Sequence, residues 1–155
     1  MENTKLKEII VYTYGAFDLL HVGHLQLLQE AKALGDKLIV GVFTDEVVEA
    51  FKRKPIIPQN QRMEMLKVLR FVDEVVSQEE LAPDTNLKKY KPDVLAKGPG
   101  ASWEPGKEAP GTVTMKELGG ELVFLNYHEG ASTSDIIARC KESAAKKEKL
   151  DPKSA

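Results

Sequence analysis

Tyr14-Gly15-Ala16-Phe17-Asp18-Leu19-Leu20-His21-Val22-Gly23-His24 follows the apolar run Ile9-Ile10-Val11 and precedes a segment whose apolar residues recur at helical spacing. The stretch falls where a first strand hands over to a first helix. In an open α/β sheet that point, at the carboxyl end of a strand, is where ligands bind. The helix start offers unpaired N–H groups and the positive end of its dipole to a phosphate. Gly15 and Gly23 allow a tight turn and a close backbone approach. His21 and His24 add hydrogen bonds, and positive charge where protonated.

Outward from this stretch, strand and helix signals alternate, which predicts a parallel sheet with crossover helices. Glu8 to Tyr14 reads as the first strand. Leu25, Leu27, Leu28, Ala31 and Leu34 form a helical face stopped by Gly35-Asp36. Leu38 to Phe43 is a near-continuous apolar run, as in a strand covered on both faces. Thr44-Asp45-Glu46 caps a short helix carrying Val47, Val48 and Phe51. A third helix carries Met63, Met65, Leu66 and Leu69, with both methionines expected to fill the core. Strands are predicted at Val72–Val76, Asp93–Ala96 and Glu121–Leu125, with helices at Asp84–Tyr90, at Val113–Leu118 and from Ser132 onward. Between Gly98 and Gly111 lies a loop rich in glycine and proline, of a length usual for functional loops.

With 155 residues, a single domain is expected. It is placed at residues 1–143, and residues 144–155 are expected to form a charged, disordered tail. The 22 basic and 24 acidic side chains nearly cancel, so no broad field points to nucleic acid or an anionic membrane. No apolar run approaches the roughly 18 residues of a membrane span. Met1 to Glu8 is polar and has no signal-peptide core. Cys140, the single cysteine, excludes an internal disulfide and a cysteine-cluster zinc site. Together these features predict a cytoplasmic protein.

The His21-Val22-Gly23-His24 segment, preceded by Gly15-Ala16-Phe17-Asp18, resembles the His-x-Gly-His signature of a nucleotidyltransferase superfamily, in particular its cytidylyltransferase-like branch. Further segments carry the likeness from Ile9 to Arg139. Gly35 to Val42 with Thr44-Asp45-Glu46 resembles the family's second strand and turn. Lys52-Arg53-Lys54-Pro55 with Gln61-Arg62 resembles its basic loop and helical arginine. Arg70 to Val76 is similar to the stretch before the end of its third strand. Glu129-Gly130-Ala131-Ser132-Thr133-Ser134 is similar to the motif that opens its last helix.

The resemblance implies a Rossmann-like open parallel sheet of about five strands with helices on both faces. It also implies transfer of CMP from CTP to a small phosphorylated alcohol such as glycerol 3-phosphate, with release of pyrophosphate, by a homodimer. His21 and His24 would donate to triphosphate oxygens as charge moves to the leaving group. Lys52, Lys54 and Arg62 would surround the phosphates, Arg62 gripping two oxygens. The nucleotide would also meet Tyr14, Gly15, Ala16, Phe17, Gly23, Gly98, Trp103, Gly130, Ser132 and Thr133. Asp18 either orders the turn or touches ligand. Mg²⁺ is expected to arrive on the substrate phosphates, with no metal ligands of the protein's own.

Two places depart from the family pattern: Tyr127 stands where an arginine is usual, and Pro99 to Ser102 replaces a shorter, aspartate-bearing loop. Lys97-Gly98 and Gly119-Gly120-Glu121-Leu122 look like the enzymes that adenylylate heptose 1-phosphate, so an adenylyltransferase acting on that substrate or on FMN is the alternative. A nucleotide-binding regulatory module is the alternative of another class. CTP is expected to be preferred over ATP.

Overall fold

The computed structural model describes residues 6–98, 107–126 and 130–150. Trp103 and Tyr127, singled out above, lie outside these residues. The chain runs β1 (Ile10–Gly15), α1 (Val22–Lys32), β2 (Lys37–Phe43), α2 (Asp45–Phe51), α3 (Gln59–Lys67), β3 (Glu74–Gln78), α4 (Asp84–Tyr90), β4 (Val94–Lys97), α5 (Thr112–Glu117), β5 (Glu121–Phe124) and α6 (Thr133–Leu150). The five strands are all parallel, in the order β3-β2-β1-β4-β5. The order reverses direction between β1 and β4, which opens a crevice at their carboxyl ends.

Alternation along the central strands divides the core between two faces. Val11, Leu38, Val40, Val42, Val94 and Ala96 point to one face, under Leu28 and Ala31 of α1 and Leu66 of α3. Tyr12, Ile39 and Leu95 point to the other, under Leu87 of α4 and Met115 of α5. Helices therefore cover both faces of an open parallel sheet, the Rossmann-like fold that the alternation of elements predicts.

Three details differ from the sequence reading. β3 starts at Glu74, two residues later than expected. The Val72 amide closes a turn onto Leu69, and the Asp73 carboxylate accepts from the Leu38 amide, so the ladder begins only after Asp73. β3 ends on Gln78, a buried polar residue that accepts from the Tyr12 hydroxyl at 2.6 Å. Met65 does not fill the core: it is 51% exposed, while its neighbour Leu66 is fully buried. Finally, α6 continues to Leu150, past Ser143 where the domain was expected to give way to a disordered tail. Its residues 138–147 are all exposed.

Candidate active site

The β1–α1 turn is built by side chains that fold back on the backbone. His21 is the N-cap of α1, and its Nδ1 accepts from the Gly23 amide at 3.0 Å. His24, three residues on, returns the gesture: its Nδ1 accepts from the His21 amide at 3.2 Å. This is a capping box made of two imidazoles, with the rings stacked 3.8 Å apart. Gly23 is required here, since a Cβ at that position would lie 2.8 Å from the His21 ring.

The hydrogen bonds fix the chemistry of both rings. A neutral imidazole that accepts at Nδ1 carries its proton on Nε2. Burial, the adjoining His21 ring and the Lys52 charge lower the His24 pKa to about 4, and burial also lowers that of His21. Both are neutral at pH 7, so they bring N–H donors rather than the positive charge that protonation would add.

Asp18 orders the turn. Its carboxylate accepts from the Ile56 amide (2.8 Å), the Ile57 amide (2.9 Å) and the Arg53 guanidinium (2.8 Å). Burial opposes its ionisation, but these donors hold it below the usual carboxylate range. Phe17 and Leu19, on either side, adopt left-handed backbone at φ 53° and 51°. Such conformations are strained for side chains of this size and persist only where surrounding contacts hold them.

A cleft of about 230 Å³ opens over the carboxyl ends of β2, β1 and β4. Its floor is Tyr14, Gly15, Ala16 and Phe17. On the β4 side stand His24 and Leu27 of α1, Lys97, Gly98, and Thr133 at the start of α6. On the β2 side stand Phe43, Val48, Phe51, Lys52 and Arg53. Of the predicted site residues, Tyr14, Gly15, Ala16, Phe17, His24, Lys52, Gly98 and Thr133 thus share one cavity. His21 sits behind His24, stacked on it. Gly130 takes φ 90° just before α6, and the Ser132 hydroxyl caps that helix by accepting from the Asp135 amide at 3.0 Å. Neither residue lines the cleft, and neither does Lys54, which is exposed.

Arg62 corrects an expectation. Its side chain is fully buried, with Nε donating to the Ile57 carbonyl (2.8 Å), Nη1 to the Ala16 carbonyl (2.6 Å) and Nη2 to Asp45 (2.7 Å). It grips the chain itself rather than facing the cleft, tying the floor to α2 and to the loop before α3.

Sequence reasoning gave Lys97, Phe43 and Phe51 no role in the site. Lys97 is 4% exposed, and its ammonium donates to the Tyr14 hydroxyl (2.7 Å) and the Pro110 carbonyl (3.1 Å). Burial lowers its pKa to about 8, and burial likewise pushes the Tyr14 phenol up. A lysine at the end of the apolar run Val94-Leu95-Ala96 was the available signal for it. Phe43 and Phe51 read as ordinary core residues. Among the described residues, no group of three or more His, Cys, Asp or Glu side chains is placed to hold a metal ion. No helix among them is long and apolar enough to cross a membrane.

A family model described as Cytidylyltransferase-like matches residues 12–139. The bifunctional protein HldE of Hydrogenovibrio crunogenus is 40% identical over 141 residues, 90% of this chain and 29% of that protein. The bifunctional protein HldE of Aeromonas hydrophila is 42% identical over 137 residues, 87% of this chain and 28% of that protein. The chain therefore spans less than a third of the length of these relatives. The crystal structure of the lipopolysaccharide core biosynthesis protein from Thermoplasma volcanium GSS1 matches with a TM-score of 0.70 at 27% identity, covering 79% of this chain and 100% of that one.

Proposed function

Since the chain belongs to the cytidylyltransferase-like family and so to the nucleotidyltransferases, we propose that it is an adenylyltransferase, joining the AMP moiety of ATP to a sugar 1-phosphate of the heptose type. The observation that carries this reading is the bifunctional protein HldE, to which about nine-tenths of the chain is 40% identical. The likeness of Lys97-Gly98 and Gly119-Gly120-Glu121-Leu122 to heptose-activating enzymes agrees with it. So does a solved relative named for lipopolysaccharide core biosynthesis, which is a sugar assembly. These relatives move the proposal away from CTP and glycerol 3-phosphate.

In this reading the triphosphate lies on the β4 side of the cleft, where the N-termini of α1 and α6 converge. An oxygen of the acceptor phosphate attacks the α-phosphorus. The bond from that phosphorus to its bridging oxygen breaks, and pyrophosphate leaves with the electron pair. The His21 and His24 Nε2–H groups donate to the phosphate oxygens on which charge accumulates. Lys52 supplies positive charge between the two anions, which would otherwise repel. No side-chain nucleophile is needed. Mg²⁺ enters as part of the ATP substrate, held mainly by phosphate oxygens.

CTP with glycerol 3-phosphate is the second reading, favoured by the Tyr14-Gly15-Ala16-Phe17-Asp18 opening. Crossing ATP and CTP with heptose 1-phosphate, other sugar 1-phosphates, FMN and glycerol 3-phosphate, scored by pyrophosphate release, separates the readings. Release with ATP and a sugar 1-phosphate is expected. Release confined to CTP and glycerol 3-phosphate overturns the proposal in favour of the second reading, and nucleotide binding without release from any pair leaves a regulatory module.

A further inference from the structure

The β2 side of the cleft carries a strip of aromatic rings. Tyr14 meets Phe43 edge to face with ring centres 5.7 Å apart, and Phe43 meets Phe51 in the same way at 5.5 Å. Phe43 is 4% exposed and braced by the other two, whereas Phe51 is 39% exposed at the lip of the cleft. Lys52 follows Phe51 in sequence, lines the same wall, and its charge is felt at His24. The wall therefore offers an apolar ring at its rim and a cation nearer the reacting centre. The opposite wall has the His24 imidazole and the hydroxyl of Thr133 but no Phe, Tyr or Trp ring from the described residues.

This division matches the two halves of a sugar phosphate. A pyranose has an apolar C–H face that buries well against an aromatic ring, while its phosphate requires a cation and a path to the histidines. An open-chain phosphorylated alcohol has no such face, so an exposed phenylalanine does nothing for it. We infer that Phe51, braced by Phe43, is a specificity-determining residue on which the sugar ring of the acceptor stacks while Lys52 takes its phosphate. The inference rests on the proposed adenylyltransferase reading and adds to it the place of the acceptor and the means of its selection.

Steady-state kinetics with ATP and a sugar 1-phosphate test it in wild type, Phe51→Ala and Phe51→Tyr. Phe51→Ala is expected to raise KM for the sugar phosphate about tenfold, the scale of one lost ring contact, with KM for ATP within twofold of wild type. Phe51→Tyr, which keeps the ring, restores the wild-type value. Because Phe51 lies at the exposed end of α2, the variants should melt within a few degrees of wild type, which a thermal scan checks. If wild type turns over but Phe51→Ala leaves the acceptor KM unchanged, or raises the ATP KM instead, the inference falls and the adenylyltransferase reading stands. If wild type turns over no sugar phosphate, both fall together.

Discussion

His21 and His24 are neutral donors because each ring spends its Nδ1 lone pair on a backbone amide of the turn. This puts the proton of each ring on Nε2 and makes the pair insensitive to pH through the neutral range. Replacing His24 by alanine removes a donor from the cleft wall and is expected to lower kcat about 10²-fold or more, as loss of one oxyanion-type donor does. His21→Ala should behave similarly, since it removes both a donor and the brace behind His24. Turnover within threefold of wild type in both variants would remove the rings from the chemistry. Arg62 works differently. Arg62→Met takes the guanidinium donor from the Ala16 and Ile57 carbonyls and from Asp45, which keeps the Gln59 amide, at about 1.5–3 kcal/mol for each bond to a charged group. Chemical denaturation should register a loss of at least about 2 kcal/mol, with kcat falling because Ala16 belongs to the cleft floor. An unchanged denaturation midpoint would contradict the role drawn for this residue.

Among the elements, the β1–α1 turn and α6 make opposite demands on the chain. The turn holds two strained residues, Phe17 and Leu19, and is fixed by Asp18 below and Arg62 behind. From Ala138 to Lys147, by contrast, α6 lies exposed, supported by local pairs such as Lys146 with Glu142. Deleting residues 144–155 should therefore change stability by no more than about 0.5 kcal/mol and leave kcat unaltered. A large loss in either would assign that segment a contact not seen in this structure. The same contrast explains what was legible in the sequence. Strands and helices with strong periodicity, such as Leu38–Phe43 and the helix through Leu28, stood out because burial on a fixed face writes a period into the chain. The glycine-histidine turn stood out because few other arrangements need those residues at that spacing. Arg62 misled because an arginine's fork fits carbonyls and a carboxylate as readily as phosphate, and only its burial distinguishes them. Lys97, Phe43 and Phe51 stayed hidden because β2, α2 and β4 meet only in the folded sheet.

For the molecule as a whole, the buried histidine links stability to pH. His24 titrates near 4 in the folded chain against 6.5 as the ordinary value, so between these limits the unfolded chain binds more protons. The stability gained from the neutral ring is complete above about 6.5 and is lost as pH falls through 4. His21, shifted in the same direction, adds to the loss. Asp18, Asp73 and Asp93 lie below their ordinary 3.8 and contribute theirs only in stronger acid. Melting temperature should decline from pH 6.5 toward 4, and the decline should be shallower in His24→Gln; identical slopes would refute the linkage. One further consequence concerns how the site comes into being. The Thr133 hydroxyl donates to the Asp18 carbonyl at 2.8 Å, across 115 positions of sequence, and thereby seats the start of α6 on the first turn. During synthesis the chain grows from its N-terminus, so Asp18 emerges long before Thr133. A nascent chain can complete every strand of the sheet and still lack the part of the β4-side wall that Thr133 supplies. Nucleotide then meets a finished binding surface only after translation has passed Thr133, and a ligand that stabilises the fold would reward complete chains over prematurely ended ones.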